Sequence, residues 1–352
     1  MQTMPLSNET MPKPQAPKRK KGFVYWISRI PLALAVIVIA LGVMGAIFQA
    51  IATYIDKRNY PAPGQMIDLD GYRLHLYCSG EGNPTVILEA GQPLGVSSWA
   101  WVQPELAKTM RVCVYDRAGL GWSDPAPANT PRDGEQMARE LHTLLQNAGT
   151  PGPYVLVGHS FGGLVTRIFA GAYPGEIVGL VWVEALHPDN FPRKGLPEST
   201  LQGLPPESTT FIPPMARLGV MRLVAFLTPD PNLPAQQQAE YRAMFAAAKF
   251  WDSIVATEQN FPAINAQARG VDSLGNIPLM IVIGGESESM GVGFEMQNEL
   301  MILSTNSVQR VVNGATHTSL LHDQQHAQQT LAAILEIVEA VRNGQPLVPG
   351  QP

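Results

Sequence analysis

Between the apolar run Tyr154–Val157 and a helix-patterned segment starting at Phe161, the chain reads Gly158-His159-Ser160-Phe161-Gly162. A strand that turns straight into a helix forces its central residue into strained backbone angles, and only small neighbours leave room for the turn. In this setting G-x-S-x-G demands a buried strand, a helix packed back onto it, and a serine hydroxyl raised at the strand's end. An ordinary serine in a Gly-rich turn would need neither flanking element.

The rest of the chain supplies matching parts. MIDLDGYRLHLYCSG predicts a hairpin turning at Asp70-Gly71. PTVILEAG and RVCVYDRAG are compact apolar runs ending in glycine, as buried parallel strands do. ARELHTLLQNAG has helical spacing and a glycine stop, LVTRIFAGAYP is a helix ended by Pro174, and IVGLVWVEA is the next strand. The alternation predicts an α/β class, a mostly parallel central sheet flanked by helices. With 45% hydrophobic and 15% charged residues, the chain is too apolar to be disordered. Two cysteines exclude a disulfide scaffold and a four-thiolate zinc site, and no metal or cofactor is expected. Cys78 and Cys113 fall in strand-like segments and are expected as buried free thiols, because bridging adjacent strands demands unusual geometry.

Four motifs in order carry a resemblance to the α/β-hydrolase fold, from about Met66 to Arg342. They are EAGQP after the third strand, DRAGLGWSD after the fourth, GHSFGG at the elbow and GATHTSL near the end. A serine hydroxyl needs a base to take its proton. Of seven histidines, His159 lies inside the elbow and is expected to be structural, His75 lies in a strand, and His142 on a helix. His322 and His326 begin a polar helix and are expected to be solvated, while His187 is placed to line a pocket. The resemblance puts the base in a late loop, which is where His317 falls.

The acid must hold the imidazole tautomer and stabilise the imidazolium. The commoner family position follows the seventh strand, IPLMIVIGGESESM, and alignment places Ser287 there, between Glu286 and Glu288. Glu184 ends the sixth strand, where some haloalkane dehalogenases carry their acid. Glu184 is the preferred acid and Glu288 the alternative; as a plain structural residue Glu184 would buttress the sheet end. The oxyanion of a tetrahedral intermediate needs two donors. The Phe161 N–H is one by elbow geometry, and the Gly91-Gln92-Pro93 loop, through Gln92, is expected to give the other.

Leu186 to Asn276 is too long for a plain connection and predicts a helical cap, with PPMARLGVMRLVAFL and AQQQAEYRAMFAAAKFWDSIV as its helical stretches. At the other end, Pro31–Ile55 holds twenty-five residues without a charge, whereas about 20 suffice to cross a bilayer core of roughly 30 Å. Residues 1–58 carry eight Lys/Arg against two acids, leaving 16 basic and 27 acidic side chains in the remainder. So acidic a body argues against nucleic acid as a partner. The Lys18–Lys21 cluster predicts an uncleaved single-pass anchor with a cytoplasmic N-terminus and an extracytoplasmic body. Ala50-Ile51-Ala52 permits the competing cleaved signal, hence a secreted form. The expected order is a basic tail (1–21), anchor (22–56), linker (57–65), hydrolase core (66–186 and 277–343), cap (187–276) and a flexible tail (344–352).

Ser160 points to acyl transfer to water and a small acyl or lipid-like substrate, a carboxylic ester first. It excludes Asp-nucleophile dehalogenase or epoxide-hydrolase chemistry. A proline-type aminopeptidase, an acyltransferase, a cofactor-free haloperoxidase and a silent ligand-binding protein are the alternatives. The aminopeptidase needs an acidic patch in the cap, for which Glu240, Asp252 and Glu258 are available. The sequence does not give the oligomeric state.

Overall fold

Eight strands form one sheet in the order β1-β2-β4-β3-β5-β6-β7-β8, in a computed structural model that describes residues 25, 27–198, 208–228, 231–287 and 293–348. The strands are β1 Gln65–Asp68, β2 Arg73–Ser79, β3 Thr85–Glu89, β4 Val112–Tyr115, β5 Tyr154–His159, β6 Ile177–Val183, β7 Leu279–Gly284 and β8 Ser307–Val312. The β1–β2 and β2–β4 pairings are antiparallel and the others parallel. β1 and β2 form the expected hairpin, turning through Asp70 at φ +57°.

Alternation along the buried strands divides the apolar side chains between two cores. Ile87, Cys113, Leu156, Trp182 and Ile281 face helices α2 (Gly134–Asn147) and α3 (Phe161–Ala172). Val86, Val112, Val157, Val181 and Val282 face Ile334 and Ile337 of the last long helix, Gln324–Asn343. β3 lies between β4 and β5, so the strand order reverses there. Open α/β sheets place their sites at the carboxyl ends of strands beside such a reversal.

Helix α1 (Ile30–Asn59) contains the long apolar run and is the one described helix long and apolar enough to cross a membrane. It runs on through Lys57 and Arg58, so the first residues assigned to the linker are helical. From Gly45 onward the chain belongs to the compact body. The tail at 1–21 lies outside the described residues. The connection between β6 and β7 is helical, but each patterned stretch breaks in two. We label the pieces α4 (Ser208–Arg217), α5 (Val220–Leu227), α6 (Ala235–Phe245) and α7 (Ala248–Gln259); they are followed by α8 (Phe261–Arg269). The break between α4 and α5 falls at Gly219, whose φ of +78° a side chain rarely adopts.

Two expectations are corrected. The register sets Cys78 directly opposite Cys113, with Cα atoms 4.0 Å apart, and the two form a disulfide rather than free thiols. Directly opposed residues without backbone hydrogen bonds are the closest pairs in an antiparallel ladder, which brings the sulfurs within reach. The C-terminal segment is not all loose: the Leu347 side chain is buried and its N–H donates to Asn306 Oδ1 at 2.9 Å. Maleimide added under denaturing conditions should therefore label neither cysteine until reductant is present, and then both. Labelling of the unreduced chain would reject the pairing.

Candidate active site

β5 enters the elbow through Gly158 and α3 leaves it at Phe161, with Ser160 between at φ +53° and ψ −121°. The glycines are there because nothing larger fits. A Cβ on Gly158 would lie 2.6 Å from the Gly162 carbonyl oxygen, and one on Gly162 would lie 2.6 Å from that of Glu89. Two backbone bonds fix the turn against the end of β6, and a third ties that end to β7. The Ser160 N–H donates to Val183 O at 3.1 Å, the Leu186 N–H donates to Ser160 O at 2.8 Å, and the Glu184 N–H reaches Val282 O at 2.7 Å.

Glu184 itself has φ +45°, and its carboxylate is fully buried. Its Oε2 accepts from Nδ1 of His317 at 2.8 Å, a contact between residues 133 positions apart. With the proton on Nδ1, Nε2 is the basic nitrogen, and it makes no hydrogen bond among the described residues. Neither does the Ser160 hydroxyl; bonds of this kind are often long without substrate and tighten around it. His159 turns toward the late loop. Its Nε2 lies 3.2 Å from the His317 carbonyl oxygen, and the two rings are 4.8 Å apart. Burial, with the neighbouring His317 charge adding, holds its pKa well below 6.5, so it is neutral and donates.

The Gly91–Pro93 loop closes on the elbow from β3. A Cβ on Gly91 would come within 3.0 Å of Ser160 Cβ. A buried cluster not singled out from the sequence holds this loop. Arg117, at the end of β4, pairs with Glu89 and donates to the carbonyls of Ala90 at 2.6 Å and Gly91 at 3.0 Å. It also reaches Gln92 Oε1 at 3.4 Å, lies 5.0 Å over the Phe161 ring, and shares Glu89 with the Tyr115 hydroxyl. The available signal was a pair of opposite charges ending two adjacent, otherwise apolar strands.

Glu288 lies outside the described residues; Ser287 is buried with its hydroxyl unbonded, and Glu286 is exposed. His187 is buried between Asp189 and Glu299. His326 bonds to Ser319 Oγ at 3.0 Å. His322 is buried, correcting its reading as solvated, because its short helix turns that side chain inward. In the β6–β7 connection, Glu240 accepts from Ser97 and Asp252 pairs with Arg217. Glu258 is buried with Oε2 unbonded, and burial raises its pKa to about 8. Among the described residues no three His, Cys, Asp or Glu side chains gather as metal ligands.

Residues 86–333 match the model of the alpha/beta hydrolase family. The chain belongs to that family. This alpha/beta hydrolase is 37% identical over 131 residues to 2-hydroxymuconate semialdehyde hydrolase of Pseudomonas sp. (strain CF600), covering 35% of this chain and 44% of that one. It is 33% identical over 134 residues to an uncharacterized vacuolar membrane protein of Saccharomyces cerevisiae, covering 33% and 20%. Its matches span only about a fifth to a half of the length of the first curated relatives. Among solved structures, epoxide hydrolase CorEH superposes with TM-score 0.60 at 22% identity, covering 79% of this chain and 98% of that one. A thermophilic esterase from Thermogutta terrifontis gives 0.57 at 21%, covering 78% and 97%. At such identities these two speak for the fold alone.

Burial, then the charge on His317, lowers the His322 pKa from 6.5 to about 4. The unfolded chain therefore binds this proton more readily than the folded one between those values. The resulting stability is present above pH 6.5 and is lost as pH falls toward 4. Denaturant midpoints of His322→Gln should fall less between pH 7 and 4 than those of the wild type. An unchanged pH slope would reject the assignment.

Proposed function

We propose that the chain is a serine hydrolase that cleaves carboxylic esters or related acyl substrates through an acyl-enzyme on Ser160. The observation that carries this reading is the 2.8 Å bond from His317 to buried Glu184, built onto the strand end that also clamps Ser160. Ser160 Oγ attacks the substrate carbonyl while its proton passes to His317 Nε2. Glu184 keeps the Nδ1 proton in place and offsets the imidazolium charge. The developing oxyanion takes hydrogen bonds from the Phe161 N–H and from the Gln92 loop. Collapse breaks the ester C–O bond, and His317 returns the proton to the departing alcohol. Water then attacks the acyl-enzyme by the same route and frees Ser160.

The helices between β6 and β7 act as the cap in this reading. An aminopeptidase is less well supported, since Glu240 and Asp252 already have partners in the fold and only Glu258 is left for a substrate amine. α1 is a single-pass anchor in the cell membrane, with the basic tail cytoplasmic and the hydrolase outside. The Cys78–Cys113 disulfide suits an oxidising compartment.

A fluorophosphonate probe should label the wild type and leave Ser160→Ala unlabelled. Against a p-nitrophenyl ester, Glu184→Gln should lower kcat by about 10⁴-fold, as loss of a triad carboxylate does. Glu288→Gln should stay close to wild type. Full activity in Glu184→Gln with collapse in Glu288→Gln would transfer the acid's role, and a well-folded wild type that takes no probe would remove the nucleophile.

A further inference from the structure

The largest apolar side chains left open on the body are not scattered. Among the described residues, Phe211, Met215, Leu223, Phe226 and Leu227 lie on α4 and α5 and Leu218 in the turn between them, and Phe226 and Leu227 are 75% and 79% exposed. Elsewhere on the body, away from α1, the other exposed large apolar residues, such as Leu196, Ile302 and Leu335, stand singly on separate elements. Helix α5 is apolar on both sides: Met221 and Ala225 are buried, while Leu223, Phe226 and Leu227 face outward. A water-facing helix would put polar residues on that second side.

The patch adjoins the part of α1 that belongs to the body. A Cβ on Gly45 would lie 2.5 Å from the Leu218 carbonyl oxygen, and one on Gly219 would lie 3.2 Å from the Phe48 ring. Gln49 is buried here, donating to Ala246 O at 2.7 Å and accepting from Arg222 at 3.2 Å. Asp56 pairs with Arg222 at 2.8 Å. Around these contacts Ile47, Phe48, Ile51 and Ile55 are open, so one apolar surface continues from α1 onto α4 and α5. The two arginines of the segment are engaged by carboxylates of the body, Arg217 by Asp252 and Arg222 by Asp56, each at 2.8 Å.

We propose that the outward face of α4 and α5 lies in the lipid of the membrane that α1 enters, as a second contact that does not span it. The proposal rests on reading α1 as a membrane span. The occupant follows from continuity, since the lipid that takes Ile47, Phe48 and Ile51 reaches the neighbouring Leu218. The helices have ten and eight residues and meet at 98°, so neither can cross a core of roughly 30 Å, whereas both can lie along its surface. An apolar patch of this kind marks a protein or membrane contact, and here the adjoining helix selects the membrane.

Both native cysteines are bonded, so an introduced cysteine gives a single labelling site. The full chain carrying Phe226→Cys or Leu227→Cys would be labelled with an environment-sensitive fluorophore and reconstituted in phosphatidylcholine–phosphatidylglycerol vesicles. Val38→Cys reports on the span, and Ile302→Cys, 81% exposed, reports on water. The proposal expects labels at 226 and 227 to shift to the blue and lose most of their emission to lipids nitroxide-labelled near the headgroup. The label at 302 should do neither, and the label at 38 should respond to a nitroxide deeper in the acyl chain. Quenching at 38 with water-like emission at 226 and 227 would overturn the lipid contact and leave the anchor intact. Blue-shifted emission at 226 and 227 that no lipid nitroxide quenches would mean protein covers the face, a second copy or another segment of this chain, and would also overturn it. Silence at all sites would remove the anchor and the contact together.

Discussion

The elbow and the end of β6 hold each other by two reciprocal backbone bonds, Ser160 N–H to Val183 O and Leu186 N–H to Ser160 O. Each satisfies a buried polar group that would otherwise cost about 1–3 kcal/mol. Together they set Glu184, which lies between those anchors, at a fixed height beside the serine. The bond from Glu184 N–H to Val282 O fixes it from the other side, through β7. Positive φ at both Ser160 and Glu184 is tolerated because these neighbours leave no alternative path for the chain.

The same crowding explains the loop that faces the elbow. Gly162 lets backbone approach backbone, and Gly91 lets the loop approach the His159 and Ser160 side chains, at distances that a methyl group would block. Arg117 then gathers the freed carbonyls of Ala90 and Gly91 with the carboxylate of Glu89. A guanidinium suits this task, since its planar fork presents several donors in fixed directions. Because it also lies over the Phe161 ring, Arg117 couples the loop after β3 to the first residue of α3.

Much of the fold was legible because its signals are local. Strand alternation, the Asp70-Gly71 turn, the Pro174 stop and the G-x-S-x-G turn each arise from neighbours within a few residues. The breaks in the helical stretches between β6 and β7 were not, since Met and Phe at helical spacing look alike in one helix or two. His322 was misplaced for a related reason: its polar neighbours Asp323, Gln324 and Gln325 suggest solvent, while its short helix turns the ring inward.

The sequence by itself determined the alternation of strand and helix, the serine raised at the end of β5, and an N-terminal helix long and apolar enough to cross a membrane. These depend on periodicity, glycine positions and length, which local sterics and hydrophobicity translate directly into structure. Tertiary structure decided what depends on register and distance. It set Glu184 against His317 across 133 positions, placed Cys78 opposite Cys113, and drew Glu89 and Arg117 into one buried cluster. It also left one side of α4 and α5 uncovered beside α1. Such pairings require two distant segments to meet at angstrom precision, and that information lies in the packing of the whole sheet rather than in any stretch of the chain.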